Sequence, residues 1–390
     1  MRKFVALITS LKLTITCLIV AMILIFAGTL AQVHFGIHEV QQRYFQSWLV
    51  WWPTDSQGFR MPVFPGGHLI GAVLLINLIA AHWRRFRWAW SKLGIHLTHA
   101  GLIIMLAGGL FTDLFAVESH MQLARGETKN YSEDSQQVEL AVVDTTAPEF
   151  DQVTAIPDAL LRRKRIIDHP DLPFQIVIRR FFQNSRVQML SAAGAGASPA
   201  ATQGIGAQVA VQEVPPVTGP DERDTASALI EIVPLGSAGG MVNNSLGTWL
   251  VSDALGAPQT FSSGGRTWQI VLRPTRYYKP YSVTLQKFTH ERYPGTEIPK
   301  NFASKITLSD PGRGLKRDVL IYMNHPLRYR GETFYQAGFK KDDQASILED
   351  VHNPSFLAPY VACVVVGIGL LVQFGYHLVG FARRRRTALA

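Results

Sequence analysis

Two histidines, His96 and His99, stand in KLGIHLTHAGLIIMLAGGL (residues 92–110) just where an apolar run begins. Residues three apart on a helix share a face. An ionisable side chain at membrane depth is costly, so it marks a partner or a task. Imidazole binds metals, carries protons and titrates near neutrality, and which of these applies depends on where the run sits. The plain reading is that both are interfacial histidines bonded to backbone or water.

Other chemistries find no support in residue pattern. His34, His38, His120, His169, His290 and His352 are scattered without HxxH or HExxH spacing, so no zinc site is expected. Serines occur without a GxSxG elbow, and no pair of carboxylates stands in a recognisable acid/base arrangement. The GAGA run near residue 194 lacks the strand–GxGxxG–helix context of a nucleotide loop. The two cysteines, Cys17 and Cys363, fall inside apolar runs and read as small apolar filler. The net charge of +9 would suit nucleic acid only if it formed a patch interleaved with aromatics on a soluble domain. Its densest clusters, HWRRFRWAWSK and RRRR, instead flank apolar runs, which suits a topogenic role.

Those runs are the elements that must position the histidines. About twenty apolar residues cross a bilayer as a helix, and four stretches qualify: residues 13–31, 66–82, 93–115 and 356–381. The first resembles a signal peptide but is longer than a usual signal core, and a further hydrophobic pair follows it; retention is expected. Arg2, Lys3 and Lys12, then Arg84, Arg85, Arg87 and Lys92, then Arg383 to Arg386, all fall on one side of four crossings, and that side is expected to be the cytoplasm. Both termini are then cytoplasmic, and SWLVWWP forms an aromatic belt at the opposite face. The expected fold is a polytopic α-helical membrane protein with a large exported, mainly-β domain. Residues 1–117 form a membrane domain with three helices, 118–355 the exported domain, and 356–390 the fourth helix with a basic tail.

The middle region alternates in short runs such as PFQIVIRRFFQN, RTWQIVLRPTRYY and YSVTLQKFTHE, bounded by turn residues. An antiparallel sandwich or distorted barrel is expected, with PDALLRRKRIID as the main helical candidate. Residues 191–225, rich in Ala, Gly and Pro, cannot bury enough apolar surface to offset ordering and are expected to be a flexible insertion.

KLGIHLTHAGLIIMLAGGLFTDLF, then LARGET, then RYYKPYSVTLQKFTHERYPGTEIPKNFASKITL, then VLIYMNHPLRYRGETFYQAGF and a closing apolar run together resemble the ResB family, in order and over almost the whole chain. Members work with a ResC/CcsA-type partner in System II cytochrome c maturation, at the cell's inner membrane. The resemblance implies a non-autonomous subunit of a holocytochrome c synthase complex. It would conduct haem b outward as cargo and help present it, reduced, to CxxCH apocytochromes, with a thiol-reducing pathway protein as a further possible partner. The partners implied are therefore the ResC/CcsA-like protein, apocytochrome c and membrane lipid, with no nucleic acid, zinc or nucleotide.

The resemblance assigns haem ligation to a histidine at the position of His99, which suits iron's use of neutral imidazole. A histidine of the partner would complete the pair. His96, one turn nearer the headgroups, is a weaker candidate. His377, read at comparable depth in the fourth run, would be a second ligand within the chain, and His68 would mark an external haem position. His82, beside Trp83 and Arg84, reads as a helix-end residue. In the exported domain, Asn324, His325 and Pro326 read as a turn. With Tyr335 and Gln336 they form a candidate surface for the partner or an apocytochrome, either facing it or taking up an extended segment at a strand edge. Two alternatives stay open: a scaffold or chaperone that docks apocytochrome without holding haem, and a bis-histidine electron carrier using His99 and His377.

Overall fold

The computed structural model describes residues 2–52, 61–193, 198–217, 223–235, 245–296, 299–339 and 345–389. In chain order, the helices among them are α1 (Arg2–Ile8), α2 (Leu11–Val40), α3 (Gly67–Arg85), α4 (Leu93–Phe115), α5 (Asp158–Arg163) and α6 (Ala358–Leu389). The strands are β1 (Leu49–Trp52), β2 (Met61–Pro65), β3 (Val117–Ala124), β4 (Thr128–Asp144), β5 (Gln152–Pro157), β6 (Ile166–Ile167), β7 (Phe174–Phe182), β8 (Ser185–Met189) and β9 (Val209–Glu213). They continue with β10 (Ser227–Pro234), β11 (Thr248–Ser252), β12 (Gln259–Ser263), β13 (Arg266–Arg292), β14 (Pro299–Asp310), β15 (Leu315–Tyr322), β16 (Leu327–Tyr329), β17 (Glu332–Phe339) and β18 (Ala345–His352). Two compact units result: one joins Met1–Val117 to His352–Ala390, the other holds Glu118–Val217 and Asp221–Val351.

In the first unit, four helices are long and apolar enough to cross a membrane: Leu11–Phe45, Gly67–Arg85, Trp90–Phe115 and Ala358–Thr387. The first extends well past Ala31, where the apolar run ends. Loss of apolarity does not end a hydrogen-bonded helix. It bends at Gly36, whose φ of 76° suits only glycine without strain, and then widens into a π turn over Gln41–Phe45. The β1–β2 hairpin leaves Trp51 and Trp52 exposed.

Helix α4 is fixed to α6 by a glycine at every seventh position. A β-carbon on Gly94 would meet the Gly369 carbonyl at 2.6 Å, and one on Gly101 would meet Val366 Cγ2 at 2.5 Å. One on Gly108 would clash with Ala358. Such small-residue stripes let two backbones approach where lipid supplies no hydrophobic drive. Asn77, buried in the middle of α3, ties it to the chain start by accepting from Thr14 Oγ1 at 2.6 Å and donating to the Ser10 carbonyl at 3.2 Å.

The second unit combines the two architectures expected as alternatives. β4 and β13 are long antiparallel partners that run through two separate cores. Their first shared half carries Leu140, Val142, Trp268, Ile270 and Leu272, which pack on Phe174, Ile176, Ile230 and Ile232 of β7 and β10 to make a sandwich. Further along β13, Tyr281, Val283 and Leu285 join Met121, Ile306, Leu308, Ile321, Phe334 and Leu348 in a second core. Pairing slips between Pro274 and Arg276 and again between Tyr278 and Val283. A proline supplies no ladder N–H, so the pairing is interrupted at Pro274, where the strand passes from one core to the other. The sheet runs β15-β14-β13-β4-β3-β18-β17-β16. A bridge from Tyr322 to His325 draws its two ends into a nearly closed barrel.

Of the stretch expected to be a flexible insertion, residues 198–217 are ordered by strand pairing and a small core. β9 pairs with β8, and Ala201 and Val209 form a small core with Leu250. The burial comes from small residues at close range: a β-carbon on Gly206 would stand 2.5 Å from Ala201 Cβ. Composition hid this because backbone, not large side chains, does the packing. The GAGA run lies outside the described residues.

Candidate functional site

The short loop between α3 and α4 makes a helical hairpin, so positions equidistant from it come level. At the loop end His82 of α3 meets both histidines of α4. Its ring lies 5.2 Å from His96, edge-on, and 5.6 Å from His99 with the planes 24° apart. Phe86 closes over His96 at 4.6 Å.

Hydrogen bonds decide what each ring can offer. His99 Nδ1 donates to the Ile95 carbonyl at 2.8 Å. A carbonyl only accepts, so the proton is on Nδ1 and the lone pair on Nε2 is free to bind a metal. His96 Nε2 donates to the Arg87 carbonyl at 3.0 Å, which leaves the His96 Nδ1 lone pair buried without a partner. His82 has no hydrogen-bond partner among the described residues. Three imidazoles with uncommitted nitrogen thus converge in one place. Basic residues gather at the same end: Arg84 donates to Thr9 Oγ1 at 3.0 Å and Arg85 to the Thr9 carbonyl at 3.3 Å, and Arg87 and Lys92 lie in the joining segment. Among the described residues, no group of three or more His, Cys, Asp or Glu side chains has the geometry to hold a bare metal ion.

At the other end of the hairpin His68 pairs with Asp113, beside Trp48 at 6.1 Å. His68 lies in the first turn of α3 and Asp113 in the last turn of α4. Their contact clasps the two helices together. Beneath it is a cavity of about 450 Å³ lined by residues of α3, α4 and the π turn.

His377 is elsewhere. Its Nε2 contacts Gln373 at 2.8 Å, and its ring meets Tyr376. Because Gly94 packs on Gly369 and Gln373, and Gly101 on Ala362 and Val366, His99 is level with about residue 366. His377 therefore lies about eleven residues, roughly 16 Å, further along α6. The comparable depth expected of these two histidines does not hold, because α6 runs on well past the start of α4.

In the β unit, Asn324 adopts a left-handed φ of 63° in the turn joining β15 and β16, and His325 stacks on Tyr322 at 4.1 Å. Tyr335 is exposed. Gln336, read as surface, faces inward: it accepts from Ser304 Oγ at 2.6 Å and donates to Ser346 Oγ at 3.0 Å. The most unusual feature of this unit is a buried charge network. Lys279 Nζ sits 2.6 Å from Glu332 and 2.7 Å from Asp350. Tyr281 donates to Glu332, and Ser132 to Asp350 at 3.0 Å. Burial pushes the Asp350 carboxyl up, although Lys279 opposes the shift. Burial and Glu332 push the Tyr281 phenol well above its ordinary range. YYKPY and GETF therefore meet inside the barrel.

Parts of the chain resemble known proteins. Residues 230–377, which hold YYKPY, NHPL, GETF and most of α6, match the ResB-like family. The chain thus resembles that family over these residues. Protein NrfI of Wolinella succinogenes is 32% identical to it over 92 residues, 24% of this chain and 10% of NrfI. Cytochrome c biogenesis protein CcsB of Synechococcus sp. strain CC9311 is 46% identical over 56 residues, 14% of this chain and 12% of that protein. CcsB of strain WH7803 is 46% identical over 56 residues, 14% of this chain and 13% of its own length. The alignments thus span only 10 to 13% of the curated relatives.

Two participants in the helical sites are not signalled by residue pattern: His82, read as a helix end, and Asp113, passed over in GGLFTDLF. The mirror symmetry of the hairpin would have found both, since His82 and His96, like His68 and Asp113, stand at matching distances from one loop.

Proposed function

We propose that this chain is a ResB-like protein that acts in cytochrome c biogenesis by taking haem into the membrane at the His82–His96–His99 cluster, as one subunit of a synthetase with a ResC/CcsA-like partner. The observation that carries the reading is the state of His99. Its Nδ1–H is held by the Ile95 carbonyl, which leaves the Nε2 lone pair free as an axial ligand, and such a backbone bond both orients and strengthens an imidazole ligand. Haem b also brings two carboxylates, which need cations. Arg84, Arg85, Arg87 and Lys92 gather at this end of the hairpin and by charge bias are on the cytoplasmic side. The β unit then lies outside, where reduced haem is presented to CxxCH apocytochromes with help from a thiol-reducing pathway.

The test is spectroscopic. Full-length chain co-purified with its ResC-like partner is expected to show a haem spectrum that His99→Ala removes or strongly weakens. Unchanged haem content with unimpaired cytochrome c assembly would overturn the role of His99. The bis-histidine carrier reading has little support, since about eleven residues separate the levels of His99 and His377.

A scaffold reading, in which the β unit docks apocytochrome while the partner holds all haem, is favoured by one observation. Tyr335 and the Tyr322–His325 stack leave aromatic surface exposed where the barrel nearly closes. Capture of a reduced CxxCH peptide by the full chain without haem would support it, and loss of capture on haem removal would count against it.

A further inference from the structure

We propose that the cavity under the His68–Asp113 clasp binds the ring of an isoprenoid quinone or quinol drawn from the lipid. Three independent irregularities converge on it. Helix α2 breaks at Gly36 and widens into a π turn, a feature often found at functional sites, and this turn supplies Gln41 to the wall, with Gln46 following. Gly71 of α3 and Gly109 of α4 both line the cavity, and a β-carbon on either would meet nothing within 4 Å. The hairpin is therefore open here, whereas α4 against α6 is shut by glycines in contact. Third, an imidazole and a carboxylate are held together in the cavity wall, among mainly apolar and glycine neighbours with two glutamine amides.

The lining selects the occupant. No lysine or arginine is among the described residues lining the cavity. Arg43, on the same π turn, is paired with Glu39. A phospholipid headgroup or a haem propionate would enter facing Asp113 with no cation to receive it, and burying an unpaired charge is costly. A neutral ring bearing two oxygens meets complementary groups instead. The Gln41 and Gln46 amides can donate to one oxygen, and the imidazole and carboxylate can accept from the hydroxyl of the reduced form. The apolar wall of Leu75 and Leu106 suits the ring, and about 450 Å³ accommodates it with the start of its tail. The two ends of the hairpin are thus chemically opposite: one is cation-rimmed and fits a dianion, the other is cation-free and fits a neutral ring. The site stands whether or not haem passes through this chain.

The test uses the full chain in phosphatidylcholine nanodiscs, irradiated with a short-chain azidoquinone, with adducts mapped by peptide mass spectrometry. Adducts are expected within residues 41–48, 67–75 and 106–113, and unmodified quinone should compete them away. Asp113→Asn, which removes an acceptor, is expected to cut labelling about fivefold. Gly109→Leu and Gly71→Leu, which fill open space and so keep the fold, are expected to abolish it. Their melting temperatures serve as controls if Asp113→Asn fails to fold. Uncompeted or uniform labelling would overturn the proposal. So would competition by haemin at lower concentration than quinone, which would make the cavity a haem position.

Discussion

Lys279 Nζ stands 2.7 Å from Asp350 Oδ2, and both side chains are only 3% exposed. Lys279 also bonds Glu332, so one ammonium balances two carboxylates inside the second core. The cluster ties β13 to β17 and β18, strands distant in sequence.

Removing that ammonium is therefore expected to destabilise the β unit strongly. Lys279→Met leaves two buried carboxylates unpaired, and breaking a buried pair from one side typically costs about 3–5 kcal/mol. Thermal unfolding followed by far-ultraviolet circular dichroism checks it. A melting temperature within a degree of the unaltered chain would show that the network contributes nothing to stability.

Alkaline stability should report a second buried phenol. Desolvation, with a hydrogen bond to Asp134 at 2.9 Å, pushes the Tyr277 hydroxyl up to about 12. The folded state thus holds its proton more tightly than the unfolded chain, whose tyrosines ionise near pH 10. The contribution is complete below about pH 10 and is lost as pH rises through about 12. Tyr277→Phe is expected to be less stable at pH 8 yet to lose less between pH 10 and 12 in denaturant titrations. An unchanged alkaline slope would exonerate this phenol.

Much of the architecture is legible in the sequence because long apolar helices and alternating strands are local patterns. The apolar runs at residues 66–82 and 93–115 fall within helices, and the alternating middle folds as β-sheet. What stays hidden depends on contacts between distant residues. The union of sandwich and barrel depends on how far β13 runs before its pairing slips at Pro274, and periodicity cannot say where a strand changes core. His82 looks inert until the hairpin brings it to His99. Gln336 looks like surface until Ser304 and Ser346 close on it. His377 shows the converse error: depth counted from the chain alone ignores the register that the glycines impose.

That register can be tested directly. Gly101→Leu drives a side chain into Val366 Cγ2 and the Ala362 carbonyl, and overpacking of this kind costs about 1–3 kcal/mol. Gly367→Ala, on α6 with nothing within 4 Å of its β-carbon, is expected to be tolerated. Melting of the two variants in nanodiscs should separate them clearly. Equal tolerance would mean that α4 and α6 do not pack through this stripe.

The exposed turn at the barrel's closure separates the two functional readings. His325 stacks on Tyr322 and its Nδ1 reaches only the Met323 carbonyl, at 3.5 Å, so His325→Ala should change stability by no more than about 0.5 kcal/mol, as surface substitutions usually do. Tyr335→Ala, also on the exposed face, is expected to behave alike. If the β unit docks apocytochrome here, the double variant melts like the parent, keeps its haem and loses capture of a reduced CxxCH peptide. If haem handling at His99 is the chain's whole contribution, capture is absent in the parent and cytochrome c assembly is untouched by the double variant. Pull-down and assembly assays on the same preparations distinguish these outcomes, because the two substitutions leave α3 and α4 unaltered.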